Sequence, residues 1–282
     1  METAYNPVLV AQGPAFAEGI NFGPDGTLYC VDVNGGSIWR MPPGGVFAAW
    51  VSTGGGPNGS RFGPGGDLFV ADYGLKAILR VSTVTGAIAI YVDHYDGQPL
   101  RGPNDLCFGS DGVLYFTDPE GSSPDNPIGA VYAVTPNGEV RRVANGLAYP
   151  NGLMVTPGGT ALVVAETHTG RLRRYSLEAS TLFVELPPLT TLSPARSGAE
   201  EAGPDGMIYG ADGNLYVAHY GSGSVLVIDH GGIVVRSLPA GGPTPTNVGF
   251  WRDSLYVTEG LSGSVYRLDI GVREHPPYMR PW

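Results

Sequence analysis

One pattern is repeated six times along this chain, and that repetition constrains the fold more than any other feature. The copies run from Glu18 to Asp32, Asn58 to Asp72, Asn104 to Asp118, Asn151 to Glu166, Asp205 to His219 and Asn247 to Glu259. Each opens on an oxygen-bearing side chain, passes through a short apolar run into a tight turn, and returns in a second apolar run. In five copies a Gly falls eight residues after the leading residue (Gly26, Gly66, Gly112, Gly159 and Gly213); the sixth, at Arg252-Asp253-Ser254, has a turn one residue shorter. Leading residues are 40, 46, 47, 54 and 42 apart, the length of a four-stranded propeller blade.

The third copy shows the expected strands. Leu106-Cys107-Phe108 and Val113 to Thr117 form the first pair, and Ala130 to Val134 follows as a third strand. Asn137-Gly138 is expected to turn the chain into Glu139 to Val143 with positive φ at both positions. The last copy supplies only three strands, so Val8-Leu9-Val10-Ala11 is predicted to complete that blade and close the ring. The predicted fold is therefore all-β: a single six-bladed β-propeller domain over residues 1–282. Composition agrees, since 44 Gly and 25 Pro punctuate short apolar runs in a chain that is 42% hydrophobic.

Net charge is −10 and there is no basic run, which argues against a nucleic-acid partner. No apolar stretch is long enough for a membrane helix, and residues 1–7 lack the basic and apolar segments of a signal peptide, so a cytoplasmic monomer or weak homo-oligomer is expected. Cys30 and Cys107 are too few for a disulfide framework and read as buried apolar residues.

In a propeller the innermost strands line the central channel, so Glu18, Asn58, Asn104, Asn151, Asp205 and Asn247 are predicted to meet at one mouth. All six carry oxygen and none is Lys or Arg. Such a ring calls for a hard divalent ion on oxygen ligands: calcium first, with magnesium, manganese or zinc as alternatives. Gly23-Pro24-Asp25-Gly26 and Gly203-Pro204-Asp205-Gly206 share a sequence but not a register: Asp25 belongs to a solvated turn, Asp205 to the mouth. A second ring, Asp32, Asp72, Asp118, Glu166, His219 and Glu259, is expected mainly to hydrogen-bond adjacent turns. Within it His219, and His168 just after Glu166, are candidates to line the pocket or carry protons.

Glu18-Gly19, Arg101-Gly102-Pro103-Asn104-Asp105-Leu106, Phe116-Thr117-Asp118-Pro119, Pro150-Asn151-Gly152-Leu153 and Pro204-Asp205-Gly206-Met207 together resemble the family of gluconolactonase, senescence marker protein (regucalcin) and luciferin-regenerating enzyme. The resemblance implies a six-bladed propeller that hydrolyses lactones with a divalent cation. It implies Glu18, Asn151 and Asp205 as metal ligands and Asn104 as a substrate or metal contact. Arg101, offset by one residue from the regucalcin-like spacing, and Glu120 fall near substrate-binding positions of some members. Lactone opening needs a polarised carbonyl, an activated water and a stabilised oxyanion. Asp205 is the candidate general base or proton shuttle, with a cation-activated water as the alternative initiator.

Three other readings stand beside this one. The same oxygen ligands in a propeller also resemble diisopropyl fluorophosphatase and paraoxonase, hence phosphotriester or aryl ester hydrolysis. A non-catalytic metal- or ligand-binding propeller is another. A strictosidine-synthase-like branch is suggested by Ala165-Glu166-Thr167 and opposed by the intact Glu18, Asn151 and Asp205. Loops from Asp118 to Gly129 and Pro187 to Ala202 are expected over the mouth, the second as a lid.

Overall fold

The computed structural model describes residues 5–178, 183–192 and 202–275. Six four-stranded antiparallel sheets follow one another along the chain. The inner strands are Ala17–Phe22, Pro57–Phe62, Leu106–Phe108, Pro150–Val155, Gly203–Tyr209 and Pro245–Trp251, one for each of blades one to six. The sixth sheet is completed by Val8–Gln12, which pairs with Ser264–Asp269 and closes the ring as predicted. A small extra hairpin, His94–Tyr95 with Gln98–Pro99, stands between blades two and three. Among the described residues no helix is long and apolar enough to cross a membrane.

The core is not one mass but six. Each apolar cluster fills the seam between two neighbouring blades, from Val31, Ile38, Val70 and Leu79 between blades one and two to Ala11, Ile20, Leu28 and Val265 between blades six and one. Alternation along each strand turns one set of side chains into each seam, so every blade is buried on both faces near the axis. Both cysteines are free and lie in these seams. Burial pushes the Cys107 thiol up to about 12.

The turn glycines behave as the repeat requires: Gly26, Gly66, Gly112, Gly159 and Gly213 have φ between 70° and 85°. In the sixth copy a two-residue turn joins Trp251 to Ser254, and Arg252 itself takes φ 55°. The Asn137-Gly138 turn differs from expectation. Only Gly138 has positive φ, because the loop runs from Thr135 to Glu139 with Gly138 N–H donating to the Thr135 carbonyl. That wider loop needs one left-handed residue rather than two. Residues Pro187 to Thr191, expected in a lid, instead belong to the outer strand of blade four, Glu185–Thr191. The remainder of that loop, 193–201, lies outside the described residues.

Candidate active site at the channel mouth

Five of the six leading residues sit where the inner strand departs from regular pairing; the sixth, Asn104, lies just ahead of Leu106–Phe108. Register breaks fall between Glu18 and Asn21, Pro57 and Ser60, Pro150 and Leu153, Pro204 and Met207, and Pro245 and Val248. An extra residue of this kind bends the strand and re-aims its side chain. Here it turns Glu18, Asn58, Asn151 and Asp205 into one cavity of 160 Å³, which Asn104 joins from the segment ahead of its strand, with Phe16, Tyr149, Thr167 and Tyr220. Asn247, the sixth, acts through its neighbour: its Nδ2 donates to Glu18 Oε2 at 3.0 Å.

The blades close tightly around this mouth. A Cβ on Gly152 would lie 2.2 Å from the Asp205 carbonyl oxygen, and one on Gly19 2.4 Å from that of Asn58. Glycine after the leading residue therefore lets the next blade approach. Hydroxyls complete the join: Thr117 donates to the Asn151 carbonyl at 2.9 Å and Thr167 to that of Pro204 at 2.7 Å.

Three carboxylates share the channel. Burial raises the Glu18 pKa to about 8, and the charge of Asp105 adds to the effect against the hydrogen bonds from Asn247 and Gly19. Burial, then Glu18 and Asp105, push Asp205 well above the ordinary carboxylate range. Asp105 itself rises to about 6 through burial, opposed by Arg61. The Arg61 guanidinium is the channel's own cation, anchored by a 3.2 Å bond from Nη2 to the Met207 carbonyl. Asp105 was not singled out as a site residue from sequence, yet the repeat carried a signal. It stands where blades one, two, four and five have Gly19, Gly59, Gly152 and Gly206.

These residues fit a hard cation. Asn104 Oδ1 is buried without a hydrogen-bond partner, and Glu18 and Asp205 are carboxylates whose burial is not offset by a full set of donors. Among the described residues no three His, Cys, Asp or Glu side chains converge as a metal cluster, and a cation in the inner cavity would meet two acids and amide oxygens.

A second cavity of 270 Å³ opens outward from the first and shares Phe16, Asn58, Asn104 and Tyr149 with it. Its further walls are Val33, Asn34, Tyr73, Gly102, Pro119 and Glu120. Glu120 is thus brought to the mouth. The Arg101 side chain lines neither cavity: it is exposed, and its guanidinium donates to the Ile128 carbonyl. His219 is buried opposite Pro204 and lines neither cavity, whereas its neighbour Tyr220 lines the inner one. His168 stacks on Tyr149 with ring centres 4.6 Å apart.

The second ring does what turn-capping acids do. Asp32 accepts from Phe16 and Gly35 N–H, Asp72 from Gly56 and Leu75, Asp118 from Arg101 and Gly102, and Glu166 from Ala148. Each acid fastens the loop entering its own blade to the end of the second strand.

Comparison with known proteins gives a consistent picture. A family model described as the SMP-30/Gluconolactonase/LRE-like region matches residues 12–260. A gluconolactonase of Zymomonas mobilis is 33% identical over 174 residues, covering 58% of this chain and 49% of that protein, so the chain spans about half the length of that relative. A lactonase drp35 of Staphylococcus aureus is 33% identical over 233 residues, 78% of this chain and 68% of that one. Among solved structures, a gluconolactonase from Xanthomonas campestris superposes with a TM-score of 0.81 at 23% identity, covering 94% and 89% of the two chains. A calcium-binding regucalcin from Agrobacterium tumefaciens superposes at 0.78 with 20% identity, covering 96% of each. At these identities the two structures bear on the fold.

Proposed function

Since the chain belongs to the SMP-30/gluconolactonase/LRE-like family, we infer that it is a hydrolase that opens lactones at the mouth built by Glu18, Asn151 and Asp205, with a divalent cation held there. The observation that carries this reading is the convergence of buried, under-donated oxygens, including the unpartnered Asn104 Oδ1, in a cavity beside a second one large enough for a substrate. Glu18, Asn151 and Asp205 are the proposed ligands, and calcium is the favoured ion because the donors are hard oxygens in an irregular set. When bound, the cation supplies Lewis acidity toward the lactone carbonyl.

The chain's own residues do the rest. The aromatic and amide walls of the outer cavity orient the lactone, with Asn34, Asn58, Asn104 and Glu120 available to ring hydroxyls. A sugar-derived lactone suits that mixture of flat apolar and polar surface. Asp205, kept ionised beside the cation, takes a proton from the attacking water as the water oxygen bonds to the carbonyl carbon. It returns that proton to the ring oxygen as the acyl C–O bond breaks, giving the hydroxy acid. Arg101 and His219 would act only through movement or through neighbours, since neither lines the cavities.

The test is proton release from a panel of aldonolactones, before and after chelation and with calcium, magnesium, manganese or zinc restored. Turnover that falls on chelation and returns with one ion supports the reading. No turnover with any ion, together with measurable metal binding, would sink it in favour of phosphotriester hydrolysis or a binding propeller.

A further inference from the structure

The repeat makes one departure at the mouth that the reaction so far does not use. Two residues before the leading residue, blades two, three and five have Gly56, Gly102 and Gly203. Blades one and four instead have Phe16 and Tyr149. In a ring of six, blades one and four stand opposite each other. Both aromatic residues line the inner cavity and the outer cavity, so they lie at the boundary a ligand must cross between the two.

Both are held in place, Tyr149 at some cost. Tyr149 has φ 61°, a conformation glycine takes freely and a bulky side chain does not. The other three described non-glycine residues with positive φ, Lys76, Asp96 and Arg252, lie in hairpin turns. Tyr149 is pinned by its N–H to Ser122 Oγ at 3.0 Å and by its carbonyl, which accepts from Thr167 N–H at 3.1 Å. One face of its ring is backed by His168. Phe16 is fixed by its N–H to Asp32 Oδ1 at 3.0 Å, and its ring fills the space a side chain at Gly260 would need, 2.5 Å from that Cβ position. A strained backbone that carries an aromatic ring to a ligand boundary points from geometry to use.

We propose that Phe16 and Tyr149 form an aromatic slot that grips the lactone ring by its C–H faces and delivers its carbonyl to Glu18, Asn151 and Asp205. This deepens, and rests on, the lactonase reading. The slot selects for a flat or half-chair ring with C–H bonds on its faces, while the amides at its edges, Asn58 and Asn104, meet the polar rim of that ring. These two are positioning groups that touch substrate without taking part in bond making.

The experiment uses calcium-loaded protein and four variants, Phe16→Ala, Tyr149→Phe, Tyr149→Ala and Tyr149→Gly, read by gluconolactone turnover, calcium affinity and melting temperature. Tyr149→Phe should stay within about threefold of wild type. Each alanine or glycine variant should lose roughly ten- to a hundredfold in kcat/KM, mostly through KM. Calcium affinity should not change, and Tyr149→Gly should melt no lower than wild type because glycine relieves the backbone. Unchanged kcat/KM in Tyr149→Ala overturns the proposal. So does a loss that comes with weakened calcium binding, since the ring would then be a prop for Asn151. If wild type turns over no lactone, the lactonase reading fails separately, and the slot is read by calorimetry with glucono-1,5-lactam, a half-chair ring with the same carbonyl whose amide resists hydrolysis. Binding that disappears in Tyr149→Ala upholds the slot; binding absent from wild type, or unaltered in the variant, overturns it.

Discussion

Glu18 and Glu259 are the same residue type, buried alike at 3% and 1% exposure, and they are put to opposite uses. Glu259 receives four donors: Thr244 N–H and Oγ1 on one oxygen, Ser262 N–H and Oγ on the other. Burial works against its charge, but these hydrogen bonds outweigh it and hold the pKa below the ordinary value. Glu18 receives two donors, both on Oε2, and borders the inner cavity. With Asp105 nearby its pKa rises to about 8. The outer acid spends its charge on fastening a loop. The inner one has too few donors to hold its charge, which favours its protonated form near neutral pH, and such a group costs stability; under the proposed function a cation would restore the charge.

The largest expected effects test the inner half of this contrast. Asp205→Asn should lose at least about a thousandfold in turnover while keeping the native circular dichroism spectrum. Glu18→Gln should lose calcium binding. Added calcium should raise the melting temperature of wild type and of Glu259→Gln but not of Glu18→Gln, because only a ligand that binds the folded state shifts the transition. Without calcium, Glu18→Gln should melt at or above wild type, since it removes a poorly compensated buried acid. A calcium response retained in Glu18→Gln would break the contrast.

Next in size is a change that leaves every acid in place. Gly152→Ala puts a methyl 2.2 Å from the Asp205 carbonyl oxygen and 2.8 Å from Gly206 Cα, both backbone, so blade five must shift. A displacement of that order at a reacting group costs roughly a hundredfold in rate. Steady-state kinetics beside calcium calorimetry would show it. Near-normal turnover would mean that the mouth tolerates blade movement and that Asp205 is less finely placed than its packing indicates.

Much of this geometry was legible in the sequence because repetition gives register. Once six copies align, the leading residues, the turn glycines and the closing strand Val8–Gln12 follow from position alone. What escaped was whatever the repeat does not share. Asp105 is visible only as a departure from glycine, and its coupling to Glu18 depends on how blade three meets its neighbours. The resemblance puts Arg101 near a substrate-binding position, but its backbone N–H is bound to Asp118 while its side chain leaves toward Ile128. Neither the direction of a long side chain nor the left-handed backbone at Tyr149 is encoded in spacing. The Asn137-Gly138 turn failed for a related reason: the dipeptide permits two positive φ values, and the loop length decides whether both are used.

A smaller effect is expected at Glu259. Glu259→Gln should cost about 1–3 kcal/mol at neutral pH by leaving donors from Thr244 and Ser262 mismatched, with turnover within twofold of wild type. Its pH dependence has a definite sign. The folded pKa is depressed, so the stabilisation is complete above the unfolded value of about 4.3 and is lost as pH falls through the folded one. The gap in melting temperature between wild type and variant should therefore narrow below about pH 4. A gap independent of pH would assign the loss to packing rather than to the carboxylate.

The smallest effect is the sharpest test of register. Asp25 and Asp205 lie in identical Gly-Pro-Asp-Gly sequences, yet Asp25 is exposed and turns its carboxylate back on Thr27, accepting from N–H at 2.9 Å and Oγ1 at 2.8 Å. Those bonds lower its pKa, whereas burial and neighbouring charges raise that of Asp205. Asp25→Asn should change stability by no more than about 0.5 kcal/mol and leave both calcium affinity and turnover at wild-type values. The four-residue sequence is the same, so any difference between the two substitutions comes from where the repeat places them. A large loss of activity in Asp25→Asn would mean that a turn on the rim of blade one reaches the chemistry, and that the mouth has been drawn at the wrong end of the inner strands.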